Sequence, residues 1–107
     1  VKASKSKIHN DNFEYLLANE GKIVMREVDE SIYEAQITHI SSDLSVIKDS
    51  DIVFIAIQSN YHDGLLQRMA AHLRDGQMLL INPGYFSSAY VLQHMPHKDI
   101  TVIEAQS

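Results

Sequence analysis

Residues Ile52 to Ile57 form an unbroken apolar run, Ile-Val-Phe-Ile-Ala-Ile. Such a run, bounded by polar residues, is the pattern of a strand covered on both faces, as strands of parallel sheets are. After Gln58, Ser59 and Asn60 comes an amphipathic stretch in which Leu65, Leu66, Met69, Ala70 and Leu73 make one helical face, closed by Arg74, Asp75 and Gly76. A second apolar run, Met78 to Ile81, ends at Asn82, Pro83 and Gly84. Ser87 and Ser88 are placed to cap another helix, which carries Ala89, Val91, Leu92 and Met95 until Pro96 breaks it, and Ile100 to Ile103 is the last strand. Residues 52 to 103 therefore read strand, helix, strand, helix, strand. That alternation predicts right-handed crossovers and an α/β sheet with helices on its faces.

Upstream, the period differs. Asn10, Asp11 and Asn12 offer N-cap side chains to a helix whose Phe13, Leu16 and Leu17 share a face, and Gly21 supplies its stop. Ile23 to Val28 and Ile32 to Ile40 then read as a hairpin turning at Asp29, Glu30 and Ser31. In its second strand Tyr33, Ala35 and Ile37 alternate with Glu34, Gln36 and Thr38, which predicts one wet face. Ser41 and Ser42 are placed to cap a short helical segment through Asp49.

With 107 residues the chain holds one modest core and no second full domain. Nine Lys and Arg against fourteen Asp and Glu give a net charge of −5, which argues against broad capture of nucleic acid or anionic membrane. Cysteine is absent, so disulfides, thiolate metal sites and thiol nucleophiles are excluded, and a reducing compartment such as the cytoplasm fits. No apolar run is long enough to span a bilayer. The sequence opens at Val1 without Met, an expected sign of a chain that starts within a longer protein.

In sheets of this type, ligands bind beyond the carboxyl ends of the strands, where loops meet helix N-termini. Those exits are Gln58 to Tyr61, Asn82 to Ser88, and Glu104 to Ser107. The amides and hydroxyl at Gln58, Ser59 and Asn60 suit a phosphate or ribose, and they equally suit ordinary capping, with Asn60 and Asp63 as a capping pair. In Asn82-Pro83-Gly84 the Pro stiffens the exit and the Gly lets a flat ligand approach the backbone, although a simple turn has the same composition. The six histidines do not assemble a metal or acid–base site. His62 and His72 lie about 80° off a shared helical face, His94 and His97 are separated by the helix-breaking Pro96, and His9 and His39 have no evident partner, so solvated or capping roles are expected. A Gly-x-Gly-x-x-Gly turn is missing, as in a chain beginning downstream of a first dinucleotide-binding strand. The opening, Val1 to Lys7, then sits at the level of an adenosine ribose. It has three Lys, two Ser and no acid, which favours a 2′-phosphate and hence NADP over NAD, unless it is a frayed terminus.

Several of these segments together resemble the N-terminal nucleotide-binding domain of the octopine/nopaline (opine) dehydrogenase family. They are Lys48 to Ile57 running into Gln58 and Ser59, the helix end Leu73-Arg-Asp-Gly-Gln77, then Met78-Leu-Leu-Ile-Asn-Pro-Gly84, and finally Val102-Ile-Glu-Ala-Gln-Ser107. The first two recur in many Rossmann dehydrogenases. The Asn-Pro-Gly exit combined with the Glu-Ala-Gln-Ser ending carries the resemblance, which covers most of residues 37 to 107.

The resemblance implies a Rossmann-like, doubly wound, mostly parallel sheet with helices on both faces. Residues 1–107 would be a partial NAD(P)-binding domain without its first βα unit and without the C-terminal catalytic domain. It further implies an oxidoreductase acting on CH–NH bonds, which reductively condenses an amino acid with a 2-oxo acid using NADP(H), or alternatively NAD(H). Ile57, Gln58 and Ser59 would lie by the diphosphate and nicotinamide ribose, Asn82, Pro83 and Gly84 near the nicotinamide, and Ser4 and Lys5 by the adenosine ribose. No catalytic residue and no metal ligand is expected within the chain, pyrophosphate binding by this segment alone is expected to be weak or absent, and a homodimer is allowed. Many relatives follow Asn-Pro-Gly with small, Gly-rich residues, whereas Tyr85, Phe86, Ser87 and Ser88 follow here. Two rival expectations are a non-catalytic Rossmann-like nucleotide-sensing or interaction module, and a ketopantoate- or hydroxyacid-type reductase.

Overall fold

The computed structural model describes residues 1–3 and 7–106, and the chain divides into two compact units, Val1–Asp43 and Leu44–Ser107. The first holds helix α1 (Asn10–Ala18) and an antiparallel hairpin of β1 (Lys22–Arg26) and β2 (Ile32–Gln36), with Lys22 opposite Gln36 and Arg26 opposite Ile32. The strands are shorter than the apolar pattern predicts. The expected N-capping by Asn10, Asp11 and Asn12 is not found: these residues are the first turn itself, and His9, at φ +66°, stands before them without a side-chain cap.

Gly21 ends α1 at φ +80°, its amide bonded to the Leu16 carbonyl at 2.7 Å and its carbonyl accepting from the Ile37 amide at 2.9 Å. A Cβ there would lie 2.2 Å from the Ile37 carbonyl oxygen, a backbone atom that cannot step aside. Gly21→Ala therefore combines a left-handed backbone with a collision, and should destabilise the helix–hairpin junction by about 2 kcal/mol or more. Hydrogen exchange of the Ile37 amide reads the loss; unchanged protection there would contradict it. At the hairpin turn, the Ser31 hydroxyl and amide bonded to Asp29 hold its carboxyl below the usual aspartate range. The expected wet and dry faces of β2 are not distinguished, because every residue of both strands is exposed within this unit.

The second unit starts with a 3-10 turn (Leu44–Asp49), where the sequence pattern had a capped helical segment. It continues through β3 (Ile52–Ile55), a 3-10 turn (Ser59–Tyr61), α2 (His62–Met69), β4 (Met78–Ile81), α3 (Ser88–His94) and β5 (Thr101–Glu104). The three strands form a parallel sheet in the order β3-β4-β5, with Val53, Leu79 and Val102 in register, and Ile55, Ile81 and Glu104 likewise. Strand, helix, strand, helix, strand is thus the architecture, as the apolar runs predict.

Burial alternates along the strands. Val53, Ile55, Leu79 and Ile81 are buried together with Leu66, Met69 and Leu73 of the α2 segment and Val91 and Met95 of the α3 segment. Full burial of a side chain of this size contributes about 1.5–3 kcal/mol. The opposite face carries Ile52, Phe54, Met78, Leu80 and Ile103, of which Ile52 and Phe54 are each 59% exposed. Burial of the Ile52 run on both faces is therefore corrected: α2 and α3 form one layer, and this unit puts no helix on the other face.

Two side chains fasten the end of the sheet where the strands begin. Gln77, 1% exposed, sends its amide protons to the carbonyls of Ile47 (2.8 Å) and Ser50 (2.6 Å) and accepts the Arg74 amide at 2.7 Å. Lys98 reaches the Ala70 and Leu73 carbonyls and so caps the end of the α2 segment.

Candidate functional site

The carboxyl ends of β3, β4 and β5 come out side by side. Beyond the regular strands the ladder runs on, with the Asn82 amide bonded to Ile55 O at 3.0 Å, Ala105 N to Ile81 O at 2.9 Å and Gly84 N to Ala105 O at 2.9 Å. Three of the exits singled out in the sequence are thereby held at one edge. Ile57, Gln58 and Ser59 are exposed after β3, Asn82 and Pro83 are half-buried after β4, and Gly84 is buried against β5. The Asn82–Pro83 peptide is cis. Ser4 and Lys5, expected beside an adenosine ribose, lie outside the described residues.

The space that a Cβ would take at Gly84 is filled by Glu104, whose own Cβ would be 2.5 Å away. Glu104 uses that proximity. Its Oε1 accepts the Ser87 amide at 2.5 Å and its Oε2 accepts the Ser88 hydroxyl at 2.9 Å, so a carboxylate from β5 does the capping that Ser87 and Ser88 were expected to provide. The Ser87 hydroxyl is turned elsewhere, 2.6 Å from the Gly84 carbonyl and 2.5 Å from His62 Nδ1.

His62 is the residue that pattern reading missed. It is fully buried, not solvated or capping, and its Nε2 proton goes to the Ile57 carbonyl at 3.1 Å, since a carbonyl only accepts. That leaves Nδ1 facing the Ser87 hydroxyl, whose single proton serves either Nδ1 or Gly84 O. The helix that carries His62 thus ties the β3 exit to the β4 exit, and Ser87 with Glu104 ties the β4 exit to β5. Its spacing was a signal: His62, Leu66, Met69 and Leu73 lie on one helical stripe at i, i+4, i+7 and i+11.

The capping pair expected of Asn60 and Asp63 does not form, and no side chain caps the start of α2. Asp63 instead meets His94 Nε2 at 2.5 Å, bridging α2 and α3 at the surface. Among the described residues no three His, Asp or Glu side chains gather as a metal site, and no helix is long and apolar enough to cross a membrane.

One atom at this edge has no partner: Asn82 Oδ1 is buried from water and accepts no hydrogen bond. Buried polar groups are seldom left so, and this one lies at a strand exit, where ligands of α/β sheets bind as a rule. The chemistry available here is an amide acceptor, exposed backbone and hydroxyl at Gln58 and Ser59, and a rigid clasp behind them.

No protein-family model and no solved structure matches the chain. An opine dehydrogenase from Arthrobacter sp. (strain 1C) is 25% identical over 73 residues, covering 64% of this chain and 20% of that protein. The chain thus spans about a fifth of the relative it matches. This similarity is compatible with a relationship to the opine dehydrogenases.

Proposed function

We propose that residues 1–107 are the nucleotide-cofactor-binding part of an opine-dehydrogenase-like oxidoreductase, cytoplasmic and acting on an amino acid and a 2-oxo acid. The observation that carries this reading is the orphaned Asn82 Oδ1 at the joined exits of a parallel sheet, in a chain similar to an opine dehydrogenase. The residues present fit a nicotinamide dinucleotide: Asn82 Oδ1 accepts from a carboxamide N–H, while Gln58 and Ser59 offer amides and a hydroxyl to ribose and diphosphate. When bound, the reduced cofactor supplies hydride to the carbon of an imine formed between the amine and the 2-oxo acid. The chain's own part is to bind and orient. His62, Ser87 and Glu104 fix the exits so that Ser59 and Asn82 are preset, which lowers the entropy cost of binding. Preference for NADP(H) over NAD(H) rests on the acid-free sequence of residues 1–7, including Ser4 and Lys5.

The same proposal treats the chain as a partial Rossmann domain. The support is the bare apolar face of Ile52, Phe54 and Leu80 together with β3, which pairs on one side only among the described residues. Phe54→Lys should then change the stability of the 107-residue chain by less than about 0.5 kcal/mol, and destabilise the full-length protein by about 2 kcal/mol or more. Equal small effects in both would contradict the missing layer.

Activity is tested by following NADPH and NADH oxidation by the full-length protein with pyruvate or other 2-oxo acids and a panel of amino acids. Amine-dependent oxidation is expected. Reduction of a 2-oxo acid without any amine requirement would favour the hydroxyacid-type reductase, and binding without turnover the nucleotide-sensing module.

A further inference from the structure

Three short contacts run in series through the buried clasp: Ile57 O to His62 Nε2 at 3.1 Å, His62 Nδ1 to Ser87 Oγ at 2.5 Å, and Ser87 Oγ to Gly84 O at 2.6 Å. Each needs one proton between its two atoms. A neutral imidazole brings one and the hydroxyl brings one, so the series is a proton short. With the imidazole proton on Nε2, the hydroxyl proton fills either the Nδ1 contact or the Gly84 contact, and the other sets two lone pairs against each other. With it on Nδ1, the shortfall moves to the Ile57 carbonyl. An imidazolium fills all three, Nε2–H to Ile57 O, Nδ1–H to Ser87 Oγ and Ser87 O–H to Gly84 O. Water does not make up the difference, since His62 is 0% and Ser87 1% exposed and their atoms already touch.

We propose that this clasp is a proton-linked latch between the β3 and β4 exits, closed on a protonated His62 and loosened when that proton leaves. On closing, one proton from solvent arrives at Nδ1 and the Ser87 hydroxyl proton turns to Gly84 O; on opening, one proton returns to solvent. The element that responds is the turn from Gly84 to Ser87. Tyr85 and Phe86 hold φ of +48° and +63° there, a left-handed backbone that persists only where its surroundings over-determine it. Ser87 Oγ to Gly84 O spans those two residues, beside a longer Ser87 N to Gly84 O bond of 3.1 Å, so the turn is held less firmly once the hydroxyl points away.

Charges on the neighbouring elements bear on the latch. On β5, Glu104 bonds the Ser87 amide at 2.5 Å and the Ser88 hydroxyl at 2.9 Å, which puts a carboxylate on the far side of Ser87 from the imidazole. On α3, His94 is bonded to Asp63 of α2, and Tyr90 is half-buried. Tyr61 ahead of α2 is exposed, Arg68 lies six residues further along α2, and the Leu44–Asp49 turn against α2 carries Lys48 and Asp49. The hydrogen bonds of His62 itself go to Ile57 and Ser87. Burial opposes a charge on the ring, while the charge-assisted bonds and the Glu104 carboxylate favour it. The closed state holds one proton more than the open state, so it gains as pH falls and loses as pH rises. For the cofactor, a consequence that rests on the dinucleotide reading above, binding is tighter at the acid end.

The test follows the ring nitrogens of isotope-labelled histidine by NMR in the full-length protein between about pH 5 and pH 8, the range in which imidazoles change charge. His62→Gln identifies the His62 signals by their loss. Hydrogen exchange of the Ser87 amide, expressed as a protection factor so that the intrinsic pH dependence of exchange cancels, reads the turn. Both ring nitrogens are expected to carry protons at the acid end, and protection at Ser87 should fall in step with the loss of one of them. The dissociation constant of NADH, whose diphosphate keeps its charge over this range, should rise about tenfold toward the alkaline end. Ser87→Ala removes two of the three contacts, so a neutral imidazole then suffices and the dissociation constant should change less than about twofold across the range. A His62 ring of fixed protonation across the range, with one proton or with two, overturns the latch, and so does Ser87 protection that ignores the ring. If Ser87→Ala fails to fold, the wild-type match between ring and protection decides alone. An equal pH dependence of NADH binding in wild type and Ser87→Ala overturns the link to the cofactor. Absence of binding of NADH and NADPH at every pH, with ring and protection moving together, overturns the dinucleotide reading and leaves the latch standing.

Discussion

Replacing Gln77 with alanine should lower the stability of the second unit by about 3 kcal/mol or more, the largest single-site loss expected among its polar residues. The side chain is 1% exposed and gives all its hydrogen bonds to backbone: its amide protons go to two carbonyls of the Leu44–Asp49 turn and its exit, and its oxygen accepts the Arg74 amide. Alanine would leave the Ser50 carbonyl and the Arg74 amide without these partners, the Ile47 carbonyl with the Ser50 amide alone, and a cavity between them, each unmet buried group costing about 1–3 kcal/mol. Gln77→Leu fills the volume and isolates the polar part of the loss. Urea unfolding of the 107-residue chain, followed by circular dichroism, measures both variants. A loss below about 1 kcal/mol for Gln77→Ala would mean that water replaces the amide and that the turn is not held by it.

His62→Ala should cost about 2–4 kcal/mol and also weaken cofactor binding. The imidazole is fully buried on the core stripe of α2, so its removal leaves a cavity and an unmet Ile57 carbonyl, and leaves the Ser87 hydroxyl with the Gly84 carbonyl alone. Because those two partners belong to the β3 and β4 exits, Gln58–Ser59 and Asn82–Gly84 lose their fixed relation. KM for the dinucleotide in the full-length protein should therefore rise several-fold with a smaller change in kcat. The Asp63–His94 pair gives a contrast, since Asp63 is more than half exposed. Asp63→Asn should cost under about 1 kcal/mol and leave KM alone. Equal effects of the two changes on KM would remove His62 from its positioning role.

Much of the second unit was legible because its signals are local. The runs at Ile52 and Met78, the stripe through Leu66, Met69 and Leu73, and the break at Pro96 each lie within one element, and each element formed where its pattern stands. What was not legible depends on partners far along the chain. Gln77 binds carbonyls 27 and 30 residues away, and Glu104 caps a helix start 17 residues before it. No periodicity records such pairs, so Ser87, Ser88, Asn60 and Asp63 were read by the nearest available capping rule, and for Ser87, Ser88 and Asp63 a tertiary partner won. His62 was legible in principle: counting it as a member of its helical stripe shows a buried position. The bare faces of the hairpin and of β3 have a different origin. The run at Ile52 was read as covered on both faces, whereas the second unit covers it on one.

The central claim is that a nicotinamide dinucleotide lies across the exits of β3 and β4. The most direct measurement is the structure of the full-length protein with NADPH, with a parallel determination using NADH. Contacts from the dinucleotide to Ser59 and to Asn82 Oδ1, the atom now without a partner, are the predicted result. A bound dinucleotide that bypasses Ser59 and Asn82, or none bound at saturating concentration of either cofactor, would contradict it.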